Sequence, residues 1–261
     1  MSRARLTALP LRVAARHRTQ KETHIQHHHK ETQMDHQILF FDIETRARPE
    51  AVAHLPAPTA PAHYKDVEKI TAYIAEKRAD QLASAALDPD TGEIVAISMR
   101  RYALRADEQT QVYLAGRDGN ECDLLRGFWE AFADIGGHAC GYNIIAFDLP
   151  FILRRSLAWG VRPPLIPRLA KYQTGPIIDL YGILFNWTPG KSLKTVAKLY
   201  GLPNPLPDLD GSQVAGMDEE TLERYAANDV DLCVHLYEMM ADIYFESPGL
   251  SADAADDGFP F

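Results

Sequence analysis

Residues 38–45, ILFFDIET, decide how the chain is read. Four large apolar side chains, Ile38 to Phe41, ask for burial in a central strand, yet Asp42 and Glu44 follow at once. A strand turns successive side chains to opposite faces, so these two carboxylates project together at the end of an otherwise apolar strand. Like charges held that close repel and raise a pKa, and burial adds to the cost. A divalent cation removes the conflict, because hard carboxylate oxygens suit Mg²⁺ or Mn²⁺. A strand that simply ends in solvent explains the stretch equally well when it is taken alone.

A second carboxylate stands out in residues 217–244, MDEETLERYAANDVDLCVHLYEMMADIY. Leu222, Tyr225, Ala226, Asp229, Leu232, Cys233, Leu236, Met240 and Ile243 recur at spacings of three and four, which predicts the core-facing stripe of a helix. Asp229 lies on that stripe one turn after Tyr225, so the two side chains point to the same place. A solvated position at the edge of the stripe is the alternative. In residues 141–155, GYNIIAFDLPFILRR, Asp148 directly precedes a helix with Pro150 in its first turn, where an ordinary N-cap would stand. Asn143 and Phe147 just upstream offer an amide and an aromatic face that could hydrogen-bond and stack on a nucleotide end.

Around these stretches the pattern is that of an α/β domain with a mixed sheet. Short strands are expected at 38–42, 93–100, 110–115 and 138–143, and helical periodicity runs through 65–86, 121–133, 149–159, 192–200 and 218–244. Ser192 reads as a helix N-cap, with Gly201 and Pro203 marking that helix's end. The proline-rich segment 46–64 reads as a loop. Residues 1–36 form a basic, His-rich extension and 246–261 an acidic tail, both expected to be disordered, which leaves 37–245 as the folded domain. At 261 residues and 46% hydrophobic, the chain can bury one sizeable core.

The net charge of −9 excludes a protein that coats nucleic acid by charge alone, so a polyanionic substrate would need local cations or bound metal. Cys122, Cys140 and Cys233 show no CxxC spacing, which points to packing roles in a reduced, cytoplasmic setting. No apolar run approaches the ~18 residues of a membrane span, so no membrane partner is expected.

Together the residues carry a family resemblance. The order Asp42-x-Glu44, then Asn143-x-x-x-Phe147-Asp148, then Tyr225-x-x-x-Asp229 resembles the three motifs of the DnaQ-like, or DEDD, 3′-to-5′ exonucleases. Arg224 stands where the histidine branch carries its His, so the chain resembles the tyrosine branch. The stretches ALDPDTGEIVAISMR (86–100), SLKTVAKLYGLP (192–203) and HYKDVEKITAYIAEKR (63–78) are similar to stand-alone exonucleases related to the proofreading domain of family B DNA polymerases.

That resemblance implies an RNase H-like mixed sheet flanked by helices. It implies that Asp42, Glu44, Asp148 and Asp229 hold two Mg²⁺ or Mn²⁺ ions, with Asp42 bridging both. Tyr225 would orient the attacking water, since a phenol of pKa ~10 is a poor base at neutral pH. The substrate implied is a strand with a free 3′ end, DNA favoured, in a setting such as DNA repair. Asn143 and Phe147 are the expected nucleotide contacts, and Thr45 would offer its backbone to the 3′ hydroxyl. Lys191 and Lys194 would meet phosphates, as would Arg154 and Arg155. Asp179 is a candidate support for the site, with a turn or strand-end role as the alternative. An exoribonuclease of the same fold and a non-catalytic nucleic-acid-binding protein are the competing readings. A glycosidase would use Asp42 and Glu44 only and leave Tyr225 and Asp229 unexplained. The terminal DDGFPF resembles the tip of bacterial single-stranded DNA-binding proteins, which implies contact with repair proteins.

Overall fold

The computed structural model describes residues 37–102, 109–116 and 120–245, which fall in one compact unit. The basic extension and the DDGFPF tail lie outside the described residues.

The apolar run becomes β1 (Ile38–Ala47), the middle strand of a five-stranded sheet. β1 pairs antiparallel with β2 (Gly92–Tyr102), which pairs antiparallel with β3 (Gln111–Leu114). On its other side β1 runs parallel to β4 (Ala139–Gly141), and β4 parallel to β5 (Ile177–Asp179). The order is therefore β3-β2-β1-β4-β5, a mixed sheet flanked by helices as the resemblance implies. Between Glu44 and Thr45 the ladder to β2 slips, Glu44 facing Ala96 and Thr45 facing Ile94, so Val95 bulges from β2 where the carboxylates end.

The seven α-helices of the described residues are α1 (Pro49–Ala53), α2 (Val67–Ser84), α3 (Glu121–Asp134), α4 (Asp148–Trp159), α5 (Leu180–Leu184), α6 (Leu193–Tyr200) and α7 (Glu219–Tyr244). β1 is covered on both faces, which is why its first residues are continuously apolar. Leu39, Phe41 and Ile43 pack with Leu125, Phe128, Trp129 and Phe132 of α3 and with Phe151 and Ile152 of α4. Phe40 packs the opposite way, with Val230, Cys233, Val234 and Leu236 of α7. Period-two alternation then dictates that Asp42 and Glu44 also leave β1 toward the α7 face.

Several expectations need correction. The segment 46–64 is not all loop, since Pro49 opens the short helix α1. The strand expected at 138–143 ends at Gly141, β5 was foreshadowed only by the strand-end role weighed for Asp179, and α5 was not anticipated. The stripe on α7 is buried as expected through Met240, but Ile243 is 79% exposed, so the buried face ends one turn earlier than its spacing implied. Ser192 caps α6 by accepting the Thr195 N–H, and Gly201 closes it at φ +72°.

Candidate active site

Asp42 and Glu44 from β1 meet Asp229 from α7. One oxygen of each of the three carboxylates lies within 4.8 Å of the other two. Glu44 and Asp229 are buried and Asp42 is partly so. Asp148 stands beside them. It is the first residue of α4, and its Oδ1 accepts the backbone N–H of Ile43, the residue between Asp42 and Glu44, at 3.2 Å. The helix cap position belongs to Phe147, so Asp148 does not serve as the N-cap its sequence position allowed. It is 2% exposed and binds the sheet instead.

Crowding four carboxylates shifts their titration upward. Asp42 lies well above the ordinary carboxylate range, through burial first and then repulsion from Asp148, Glu44 and Asp229. Burial raises Glu44 in the same way, with Asp229 adding to it. Asp148 is pushed up to about 7 by burial, against the opposing backbone hydrogen bonds at its own N–H and at Ile43. Burial also raises Asp229, but less freely, because Lys194, Tyr225 and Asn228 stabilise its charged form. An all-oxygen donor set with excess negative charge fits a hard divalent cation, and this group could hold a metal ion.

The organic neighbours are Lys194 and Tyr225. The Lys194 ammonium lies 3.6 Å from Asp229 Oδ1 and 3.9 Å from the centre of the Tyr225 ring, and it donates to the Leu209 carbonyl at 2.5 Å. Tyr225 is 4% exposed, and its hydroxyl lies close enough to Asp229 to stabilise the charged carboxylate. Burial, then Glu44 and Asp229, push its pKa far above the usual phenol value. A recess of about 320 Å³ opens beside Tyr225, Asp229 and Lys194, walled by residues 207–211. Sequence reasoning missed that wall. Its signal was Asp210, which caps the turn Gly211–Gly216 through a reciprocal bond with Gln213.

The expected nucleotide contacts are placed unevenly. Thr45 is near the cluster, but its hydroxyl is engaged with the Ala86 carbonyl at 2.7 Å. Asn143 sits at φ +67°, a left-handed conformation that Asn tolerates better than most residues. Asp179 holds it there, accepting the N–H groups of Asn143 and Ile145 at 3.0 Å and of Gly182 at 3.1 Å. Phe147 is half-buried with its ring 5.6 Å from that of Phe151. Lys191 is not drawn into the cluster; its side chain is exposed, and its carbonyl accepts the Tyr142 hydroxyl. Arg155 is not a phosphate contact, because it is 3% exposed and doubly bonded to Glu121 at 2.8 and 2.6 Å. Arg154 is bonded to Asp90.

A search of curated proteins returns no match. The structure resembles that of the family B DNA polymerase from the hyperthermophilic archaeon Pyrobaculum calidifontis, with a TM-score of 0.51 and 22% identity. That likeness covers 78% of this chain and 24% of the polymerase, so it concerns the fold of about a quarter of the larger protein. The family model for the DNA polymerase family B exonuclease domain matches residues 15–194, more than half of the chain. The match holds Asp42, Glu44, Asn143, Phe147 and Asp148 and ends at Lys194, so Tyr225 and Asp229 lie beyond it and join the others only through the fold. Matched over that length, the chain belongs to the exonuclease-domain family of the family B DNA polymerases, a family of nucleases.

Proposed function

We propose that the protein is a 3′-to-5′ exonuclease that removes nucleotides from the free 3′ end of single-stranded DNA. The observation that carries this is the meeting of Asp42, Glu44 and Asp229 within 4.8 Å, with Asp148 beside them, in a chain of the exonuclease-domain family. Two Mg²⁺ or Mn²⁺ ions held by these four carboxylates would lower the pKa of the attacking water and neutralise charge on the leaving 3′ oxygen.

The remaining work falls to the chain's own groups. Tyr225 stays protonated across the physiological range, so its hydroxyl orients water by hydrogen bonding and does not act as the base. Lys194 keeps one positive charge against Asp229 and Tyr225, at the edge of the recess where a terminal phosphate would lie. Asn143 and Phe147 offer an amide and an aromatic ring to the terminal nucleotide, on a loop that Asp179 fixes. Among the described residues no helix is long and apolar enough to cross a membrane, and the three cysteines are free and buried, which agrees with a reducing compartment such as the cytoplasm.

The test is digestion of 5′-labelled single strands of DNA and RNA with Mg²⁺, Mn²⁺ or EDTA. DNA is expected to shorten stepwise from its 3′ end with either metal and to stay intact in EDTA. Intact DNA under every metal condition, with folded protein, overturns the proposal. Preferential shortening of RNA replaces it with the exoribonuclease reading.

A further inference from the structure

Between Asp148 and Asp179 the chain has no acidic residue at all. The whole sequence holds 36 Asp and Glu in 261 residues, so a stretch of this length would ordinarily carry about four. It carries five cations instead: Arg154, Arg155, Arg162, Arg168 and Lys171. The fold neutralises two of them, Arg155 on buried Glu121 and Arg154 on Asp90. Arg162, Arg168 and Lys171 are exposed and have no carboxylate partner among the described residues.

Large side chains between and directly after these cations are bare. Ile166 is 76% exposed and Tyr172 75%. Tyr172 has φ +63°, rare for an aromatic residue, and its ring packs on Trp187 with centroids 5.6 Å apart. Trp187 also has positive φ, +60°, and lies so close over Gly182 that a Cβ there would come within 2.5 Å of its ring. A buried-side partner thus fixes Tyr172 while its other face meets solvent. Unpaired cations interleaved with an exposed, braced aromatic ring are what holds a single strand without reading its sequence.

The segment is tied to the candidate active site at both ends. It leaves α4, whose first residue is Asp148, and it enters β5, whose last residue, Asp179, binds the Asn143 loop. The far end of α4 lies ~17 Å from Asp148 along the helix axis, so only a strand that runs several nucleotides upstream of its 3′ end reaches the segment beyond it. We propose that Arg162, Arg168, Lys171 and Tyr172 form a second nucleic-acid contact surface, which holds the sugar-phosphate backbone of the substrate strand upstream of its 3′ end. This rests on the exonuclease reading for which end of the strand is engaged, but not for the binding itself.

Binding is therefore measured with metal chelated, by fluorescence anisotropy of a labelled dT tetramer and a dT 20-mer, while cleavage of both is followed separately. The triple variant Arg162→Glu, Arg168→Glu, Lys171→Glu is expected to weaken the 20-mer at least tenfold at low salt. It is also expected to lower the slope of log affinity against log salt by about 2, at ~0.7 per phosphate contact on a single strand. Cleavage of the tetramer by the same variant should be unchanged. Tyr172→Ala should weaken the 20-mer about fivefold even at high salt, where charges are screened. Unchanged 20-mer affinity and salt slope overturn the proposal, as does equal weakening of tetramer and 20-mer. Loss of binding to vesicles containing phosphatidylserine, with 20-mer binding intact, would overturn it in favour of an anionic membrane surface. A wild-type protein that binds the 20-mer through this surface but cleaves nothing sinks the exonuclease reading alone.

Discussion

Glu121 and Asp42 are both carboxylates that lose solvent on folding, and the protein treats them in opposite ways. Burial alone would raise the Glu121 pKa, but the Arg155 guanidinium, the Ile94 N–H and the Trp159 ring N–H outweigh it and hold Glu121 below its usual value. These donors lie 2.6–2.9 Å from the two Glu121 oxygens. At the other end of α4, Asp42, Glu44 and Asp229 share the ammonium of Lys194, Asp148 is offset only by backbone N–H groups, and every one of the four is shifted upward. A buried charge whose compensation is complete within the chain belongs to the scaffold. A cluster left in deficit is compensated from outside the chain, and that imbalance distinguishes a site from a strut.

The contrast is open to direct attack. Asp42→Ala or Asp229→Ala is expected to lower nuclease activity by at least about 10³-fold with the protein still folded, because a cation ligand supplies several kcal/mol of transition-state stabilisation; near-normal turnover in either variant would remove these residues from the site. Glu121→Ala should do the reverse, with its main effect on stability. Stranding the Arg155 charge costs ~3–5 kcal/mol and lowers Tm on the order of 10 °C, readable by calorimetry, and an unchanged Tm would show that the pair is not a strut.

A smaller effect comes from Asp148, whose folded pKa of about 7 lies above the unfolded value of 3.8. The folded state then holds the extra proton between those values, so its contribution weakens the metal-free protein as pH rises through that window. Asp148→Asn should therefore stabilise the EDTA-treated protein at pH 8 by roughly 2–4 kcal/mol and leave stability near pH 4 unchanged. Parallel pH profiles for the two proteins would contradict the deficit. Tyr225→Phe should have the smallest effect, about a tenfold drop in kcat with KM little changed, as one orienting hydrogen bond is lost. A loss as deep as that of Asp229→Ala would give the hydroxyl a larger role.

The deficit was more legible in the sequence than the strut. Asp42 and Glu44 break an apolar run, and Asp229 breaks a helical stripe, so each is anomalous within its own element. Nothing local marks Glu121. It sits in the first turn of α3, where acidic residues are common, and its partner lies 34 positions away. Arg155 was accordingly read as a phosphate contact, because its neighbours in sequence do not reveal that α4 turns it inward. β5 was foreshadowed only through Asp179, for a related reason. Three residues behind Pro176 carry no periodicity, and β4 and the packing around Leu180 make them a strand. The wall at 207–211 and the arrangement around Tyr172 depend on tertiary contacts that no short pattern encodes.

The hydrogen bond from Ile43 to Asp148 has one further consequence. The Leu39 N–H points at β4, where it meets the His138 carbonyl, and alternate residues of a strand point their N–H groups the same way, so that of Ile43 faces the β4 side as well. β4 has ended by then, at Gly141, its last pairing with β1 being at Phe40. Asp148 thus occupies the rung that a longer β4 would have filled with a main-chain carbonyl. The carboxylate cluster is complete because one strand stops short, and two more residues of parallel pairing would extend the sheet and evict Asp148.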